Sequence, residues 1–166
     1  MNAALNAPDT AEQQEALGQR LRAAGDNAGA ARAFARAIEL APQRPHLRLL
    51  ALLHEGTTLD AEGRVEEAQA VFLRAVQEHP DSADAWAVLG TVQAYLSEPE
   101  IAEESLRRAL QIDPTRPEVL ERYARVLQDL RRHEDAALVF ERLLKVEPNR
   151  PLTPRSEEHT SELQSH

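Results

Sequence analysis

The chain contains no cysteine among its 166 residues. This absence excludes disulfide bonds, thiolate metal sites and a cysteine nucleophile. Aromatic side chains are also scarce, because the sequence has one Trp, two Tyr and three Phe. Alanine and leucine must therefore provide most of the apolar packing, which is typical of proteins in which each structural unit contacts only its neighbours.

Long hydrophobic runs are missing as well. No run approaches the roughly 20 apolar residues of a membrane span, and residues 1–13 lack the apolar stretch and basic flank of a signal peptide. Both observations predict a cytoplasmic protein with no membrane partner. Lys145 is the one lysine among 19 basic residues, and a preference for arginine indicates a GC-rich bacterial genome because most arginine codons are GC-rich.

The charge balance is acidic, with a net charge of −9. Nucleic-acid binding depends on Lys and Arg that neutralise phosphates, so we expect no nucleic-acid partner. His46, His54, His79 and His133 are scattered and never have the i, i+4 spacing of metal ligands on one helix face. No phosphate-binding loop or nucleophile motif occurs. The sequence predicts a protein that is not an enzyme and holds no cofactor or metal.

What the sequence does contain is a repeat. Pro42, Pro80, Pro114 and Pro148 close four segments of one pattern, and the last three prolines are 34 residues apart. Two helices of roughly 14 residues with short turns use about 34 residues, so each segment predicts a pair of antiparallel helices. The repeated columns hold small residues (Gly18, Gly56, Gly90, Ala124; Ala30, Ala68, Ala102, Ala136) and then large apolar residues (Phe34, Phe72, Leu106, Phe140).

Local signals mark the helix ends. Gly25 and Gly63 stand where the first helix of a unit should end, and glycine favours the left-handed conformation that terminates helices. Thr10 with Gln13 predicts a capping box at the first helix. The segment 97–100 (Ser-Glu-Pro-Glu) predicts a second capping box in the third unit.

These residues resemble the tetratricopeptide repeat family, whose 34-residue signature runs from a tryptophan through Leu-Gly, tyrosine, alanine and phenylalanine to a closing proline. The third unit matches best, with Gln93 where the tyrosine would be and with Trp86, Leu89, Gly90, Ala102, Leu106, Ala109 and Pro114. The resemblance implies an all-α fold, a right-handed α-solenoid of four helix-turn-helix repeats. Trp86 is interpreted as packing between helices, with a ligand platform as the alternative.

The predicted array covers residues 11–150. Its repeats are 11–44, 49–82, 83–116 and 117–150, separated after the first by a four-residue insertion at 45–48. Because proline is favoured in the first turn of a helix, the insertion is interpreted as a longer helix start, with a ligand-contacting loop as the alternative.

Residues outside the array are predicted to be unstructured or foreign. We expect residues 1–10 to be a disordered N-terminus and residues 151–166 to be a non-native or disordered tail. Residues 155–166 resemble a translated sequencing adapter, so the genuine protein is expected to end near Pro154 in this chain. The DNA that encodes residues 155–165 tests this hypothesis.

The resemblance also implies a binding surface, because the first helices of tetratricopeptide units line a concave groove that receives a peptide. The candidate partner-binding residues are Leu50, Leu53, Thr57, Asp60, Asp84, Ala87, Thr91, Ala94, Tyr95, Glu118, Glu121 and Arg125. Flanking positions are Glu12, Glu15, Gln19, Arg22 and Gln128. Tyr95 is predicted to be the anchor, with packing against the neighbouring unit as its alternative role.

Three functions fit these observations. The leading one is a protein-interaction scaffold that binds a partner protein or peptide in the groove. The alternative is the N-terminal repeat region of a longer bacterial enzyme, of transferase or oxygenase type. A third prediction is self-association through an uncapped C-terminal end, because the last predicted helix carries Leu138, Phe140, Leu143 and Leu144.

Overall fold

A computed structural model describes residues 9–149 of the chain. The predicted segments 1–10 and 151–166 fall outside this range, apart from Asp9 and Thr10. The described part forms eight α-helices and no strand: α1 Ala11–Ala23, α2 Asn27–Leu40, α3 Pro45–Ala61, α4 Val65–Glu78, α5 Ala83–Tyr95, α6 Pro99–Ile112, α7 Pro117–Asp129 and α8 His133–Val146. The all-α prediction is confirmed.

Consecutive helices pack against each other throughout the described chain, so four helix pairs stack into a right-handed α-solenoid, as predicted. The helix α3 also contacts α5, and α5 contacts α7. The helices α3, α5 and α7 therefore approach one another from unit to unit, which places them on the inner, concave side of the superhelix.

The prolines of the repeat end the even-numbered helices. Each one follows the last helical residue by two positions, at Pro42 after α2, Pro80 after α4, Pro114 after α6 and Pro148 after α8. Proline cannot continue the hydrogen-bond ladder, so this column sets the length of each unit. Prolines also start α3, α6 and α7, where the missing N–H would have no partner anyway.

The helix ends confirm two of the three local predictions. Thr10 and Gln13 form a capping box, with Gln13 N donating to Thr10 Oγ1 at 3.2 Å and Thr10 N donating to Gln13 Oε1 at 3.0 Å. Gly25 and Gly63 have φ of 80° and 77°. The capping box predicted for residues 97–100 is wrong, because Ser97 takes the left-handed conformation that terminates α5, with φ of 61°, and no side chain caps α6.

Residues 45–48 form the first turn of α3. This helix has 17 residues, whereas α1, α5 and α7 have 13 each. Four residues add about 1.1 turns, so the longer helix keeps its buried face nearly in register with the other units. Leu47, inside this extra turn, is fully buried.

The small residues of the repeat face the large ones. A Cβ added at Gly56 would lie 2.3 Å from Cε1 of Phe72, and one at Gly18 would lie 2.7 Å from Cε1 of Phe34. Glycine is therefore required for these close approaches between paired helices. Phe34, Phe72 and Leu106 are at most 2% exposed, and they fill the space that the small residues leave.

Candidate partner-binding groove

The concave side holds two adjoining depressions, of about 910 Å³ and about 250 Å³. They share Asp60, Thr91, Val92 and Arg122, so the residues that line them form one continuous groove across α3, α5 and α7. The larger depression lies towards the C-terminal ends of the three helices, and the smaller one towards the start of α7.

Nine of the predicted site residues line the groove. They are Thr57, Asp60, Asp84, Ala87, Thr91, Ala94, Tyr95, Glu118 and Arg125. Their helical spacing brings them together because residues three or four apart share one face of a helix. Their part in binding stays a prediction.

The other three predicted residues do not line the groove. Leu50 packs against the apolar cluster around Phe34 and Leu47, and Leu53 packs against the one around Leu52 and Phe72. Glu121 instead accepts a hydrogen bond from Arg125 Nη2 at 2.5 Å. Its contribution to the groove is therefore to hold an arginine that does line it.

Tyr95 is the most exposed large hydrophobic residue of the described chain, with 77% of its surface accessible. It is the last residue of α5 and lines the larger depression. This exposure argues against the alternative role as packing against the neighbouring unit. Trp86, in contrast, packs against two apolar clusters and donates Nε1–H to the carbonyl oxygen of Pro80 at 2.9 Å, as expected for a packing residue.

Arg116, Arg122 and Asp129 also line the groove but were missed from the sequence. A signal was present, because Glu118, Arg122, Arg125 and Asp129 follow the same spacing of three and four as the residues that were chosen. The prediction took Glu121 and Gln128 instead, and each of these lies one position from the residue that faces the groove.

Ion pairs neutralise part of the groove. Arg116 bonds Asp84 on the neighbouring helix α5 at 2.5 Å and Glu118 at 3.0 Å. Burial opposes the charge of Arg116, but the hydrogen bonds to Asp84 and Glu118 outweigh it and raise the pKa of the guanidinium. Arg122 Nη1 donates to Thr91 Oγ1 at 2.5 Å. The arginines of α7 and its N-cap thus tie the last unit to α5.

Residues 9–149 contain no group of three or more His, Asp or Glu side chains arranged to hold a metal ion. Within the same range, every helix is too short or too polar to cross a membrane. What the arrangement offers chemically is an open surface with one exposed aromatic ring, that of Tyr95, several charges and small residues.

Comparison with known proteins agrees with this architecture. The family model described as "Tetratricopeptide repeat" matches residues 21–92 and 97–152. Among curated proteins, the type IV pilus assembly protein PilF of Pseudomonas aeruginosa is 36% identical over 83 residues, which are 50% of this chain. The match spans 32% of the length of that relative.

Two solved structures show the same fold. The first tetratricopeptide domain of Spaghetti (RPAP3), bound to an HSP90 peptide, is 22% identical with a TM-score of 0.60, over 70% of this chain and 87% of that one. YrrB, described as having an unusual peptide-binding site, is 20% identical with a TM-score of 0.64, over 83% of this chain and 69% of that one. With its repeated columns, its four stacked helix pairs and a family match over most of its length, the chain belongs to the tetratricopeptide repeat family of protein-interaction scaffolds.

Proposed function

We propose that this protein binds an extended segment of a partner protein in the groove of α3, α5 and α7. The observation that carries the proposal is Tyr95, an aromatic ring 77% exposed on the wall of a depression of about 910 Å³. Aromatic residues are enriched among the side chains that dominate interface energetics, and leaving one in water has no benefit for folding.

The shape of the groove supports a peptide rather than a folded domain as the bound element. Its two depressions follow one another across three helices, so an extended chain can lie in both. Two proteins with the same fold are described with a bound peptide or a peptide-binding site. The lining of this groove contains neither lysine nor asparagine, so a clamp for a C-terminal carboxylate like that of chaperone-tail domains is disfavoured.

A displayed library of random twelve-residue peptides, panned against the purified protein, tests this proposal. Peptides selected by the wild-type protein should bind Tyr95→Ala about tenfold more weakly, because removal of a central aromatic anchor typically costs more than 1 kcal/mol. Ile101→Ala is the matched control, since Ile101 is 53% exposed but does not line the groove. Two results would show that the groove is not the binding surface. One is the same loss of peptide affinity in Tyr95→Ala and Ile101→Ala, and the other is no loss in either variant.

The pilus assembly relative favours a narrower candidate, a scaffold in the assembly of a pilus-type machine. Deletion of the intact gene in its host should then abolish surface pili in electron micrographs, and re-expression should restore them. Normal piliation in the deletion strain would reject this candidate. The alternative of a repeat region attached to an enzyme stays a prediction that the intact gene beyond residue 154 tests.

A further inference from the structure

The charges of the groove are not all satisfied internally. Arg116 is paired with Asp84 and Glu118, and Arg125 with Glu121. Two carboxylates of the larger depression, Asp60 on α3 and Asp129 on α7, make no ion pair or side-chain hydrogen bond within residues 9–149, and both are exposed. They stand on the two helices that flank α5, which carries Tyr95.

Both carboxylates occupy an unfavourable place on their helices. Asp60 is the penultimate residue of α3, and Asp129 is the last residue of α7. A helix C-terminus carries about half a negative charge, so a carboxylate there is repelled, whereas a cation is stabilised. The last turns of α3, α5 and α7 hold no basic residue, in contrast to α1, which ends with Arg20 and Arg22.

Nearby cations compensate for this only in part. Arg64, beyond the end of α3, is bonded to Glu67 at 2.6 Å, and Arg131, beyond the end of α7, does not line the groove. Arg122 lines the groove and keeps its positive charge, but it is held by Thr91 on α5 and lies about two turns before the end of α7. Three helix C-termini and two carboxylates therefore give the larger depression a negative edge, and the ring of Tyr95 lies on it.

We infer that the groove selects a segment with a basic side chain, arginine or lysine, that is seated on the Tyr95 ring between Asp60 and Asp129. The inference rests on the proposed function and specifies the partner. A cation over an aromatic face is attracted by the ring quadrupole, and the carboxylates supply the opposite charge. Arg122 is positioned to donate to a main-chain carbonyl of the same segment. The acidic net charge of −9 also favours association with a basic partner.

The same panned peptide library provides the first readout, and we expect the selected peptides to be enriched in one arginine or lysine. For one selected peptide and its copy with glutamine in place of the basic residue, affinities are then measured against Asp60→Asn/Asp129→Asn. The double variant should lower the affinity of the basic peptide about tenfold and leave that of the glutamine copy within about twofold. Added salt should weaken the basic peptide more than its copy.

A matched variant removes the same charge elsewhere. Glu66 and Glu134 are exposed carboxylates in the first turns of α4 and α8, outside the groove. Glu66→Gln/Glu134→Gln should leave peptide affinity unchanged and lower the Tm, because acids stabilise helix N-termini. Asp60→Asn/Asp129→Asn should instead raise the Tm while it weakens binding, so lost affinity cannot be ascribed to unfolding.

The possible results separate the two proposals. Peptides that depend on Tyr95 but are acidic or uncharged would overturn the basic-residue inference and leave the groove as the binding surface. If Glu66→Gln/Glu134→Gln lowered peptide affinity as much as Asp60→Asn/Asp129→Asn, the effect would come from net charge alone. That result would also overturn the basic-residue inference. Selected peptides that are indifferent to Tyr95→Ala would overturn the proposed function and this inference together.

Discussion

The N-terminal half, α1–α4, and the C-terminal half, α5–α8, join their repeats differently. Between the first two repeats, the ring of Phe34 stacks on His54 with centroids 5.5 Å apart, and His54 donates Nδ1–H to Oδ1 of Asn27 at 3.2 Å. Between the last two, the buried residues are aliphatic: Leu106, Leu110, Val119, Leu120 and Leu127. The first interface therefore adds a polar stack to its apolar contacts, whereas the buried core of the other is aliphatic, with ion pairs such as Arg116–Asp84 at its surface.

The turns between the two helices of each repeat also differ, and here the strained conformation lies in the C-terminal half. The left-handed turn residues of the first half are Gly25 and Gly63, which adopt this conformation without strain. In the second half the same positions hold Ser97 and Arg131, both with φ of 61°. A side chain in this conformation costs about 1–2 kcal/mol, which is less than the burial of one or two large aliphatic residues contributes. We therefore expect the C-terminal half to be the more stable one, and in a solenoid the halves can unfold separately.

The largest expected effect is a cavity in the aliphatic interface. Leu120→Ala should destabilise the protein by about 2–5 kcal/mol, because Leu120 is 0% exposed and the surrounding core relaxes only partially. Urea denaturation followed by circular dichroism measures the loss. Leu138→Ala is the control in the same half, since Leu138 is 60% exposed and should change stability by about 0.5 kcal/mol or less. Similar losses in the two variants would contradict the assignment of the core.

Overpacking should affect the N-terminal half. Gly56→Ala is expected to cost about 1–3 kcal/mol, because the new methyl group would lie 2.3 Å from a ring carbon of Phe72, which is 2% exposed and has no room to move. Phe72→Leu in the same chain removes the ring carbons that the new methyl group would meet and should recover part of the loss, as a double-mutant cycle in urea would measure. Full additivity of the two changes would show that the ring and the glycine do not constrain each other.

The polar stack should make the N-terminal half sensitive to acid. Burial, with a smaller contribution from the charge of Arg22, lowers the pKa of His54 below its usual value. The unfolded chain then takes up the proton first on acidification, so this stability is present above about pH 6.5 and is lost as the pH falls. The urea midpoint should decrease between about pH 7.5 and about pH 5.5, before most carboxylates titrate.

His54→Val provides the control, because Val88 occupies the corresponding position in the next repeat. This variant should show a smaller decrease over the same pH range. An unchanged decrease would assign the acid sensitivity to other groups. The C-terminal half, which buries no histidine in its interface within the described residues, should keep its urea midpoint in both proteins.

The sequence predicted the fold well because its signals are periodic. Proline, glycine and phenylalanine recur in columns, and each residue type has one physical role at its position, so the helix pairs and their contacts can be deduced. The groove was predicted less completely. Glu121 and Arg122 are neighbours on α7, and the packing of α7 against α5 decides which of them faces the groove. That rotation depends on the shapes of both helices, which residue spacing alone does not report.

Ser97 shows a second limit. A serine three residues before a glutamate predicts a helix start, but in this turn the end of α5 and the start of α6 meet within a few residues. The termination of α5 determines the backbone of Ser97, with Glu98 N donating to the carbonyl of Gln93 at 3.0 Å. The same residues satisfy either role, and the tertiary arrangement selects one of them.

The smallest expected effect comes from placing glycine at a turn of the C-terminal half and removing it from a turn of the N-terminal half. Ser97→Gly should stabilise the protein by about 0.5–1 kcal/mol, because relief of the left-handed strain exceeds the extra entropy that glycine gives to the unfolded chain. Gly63→Ala should destabilise it by a similar amount, for backbone reasons alone, since no atom lies within 4 Å of the added Cβ. Thermal unfolding measures both changes. Opposite signs at Ser97 and Gly63 would show that the turns of the two halves share one conformational requirement, which glycine meets and serine does not. Destabilisation at both positions would mean that the Ser97 side chain contributes more than its backbone strain costs.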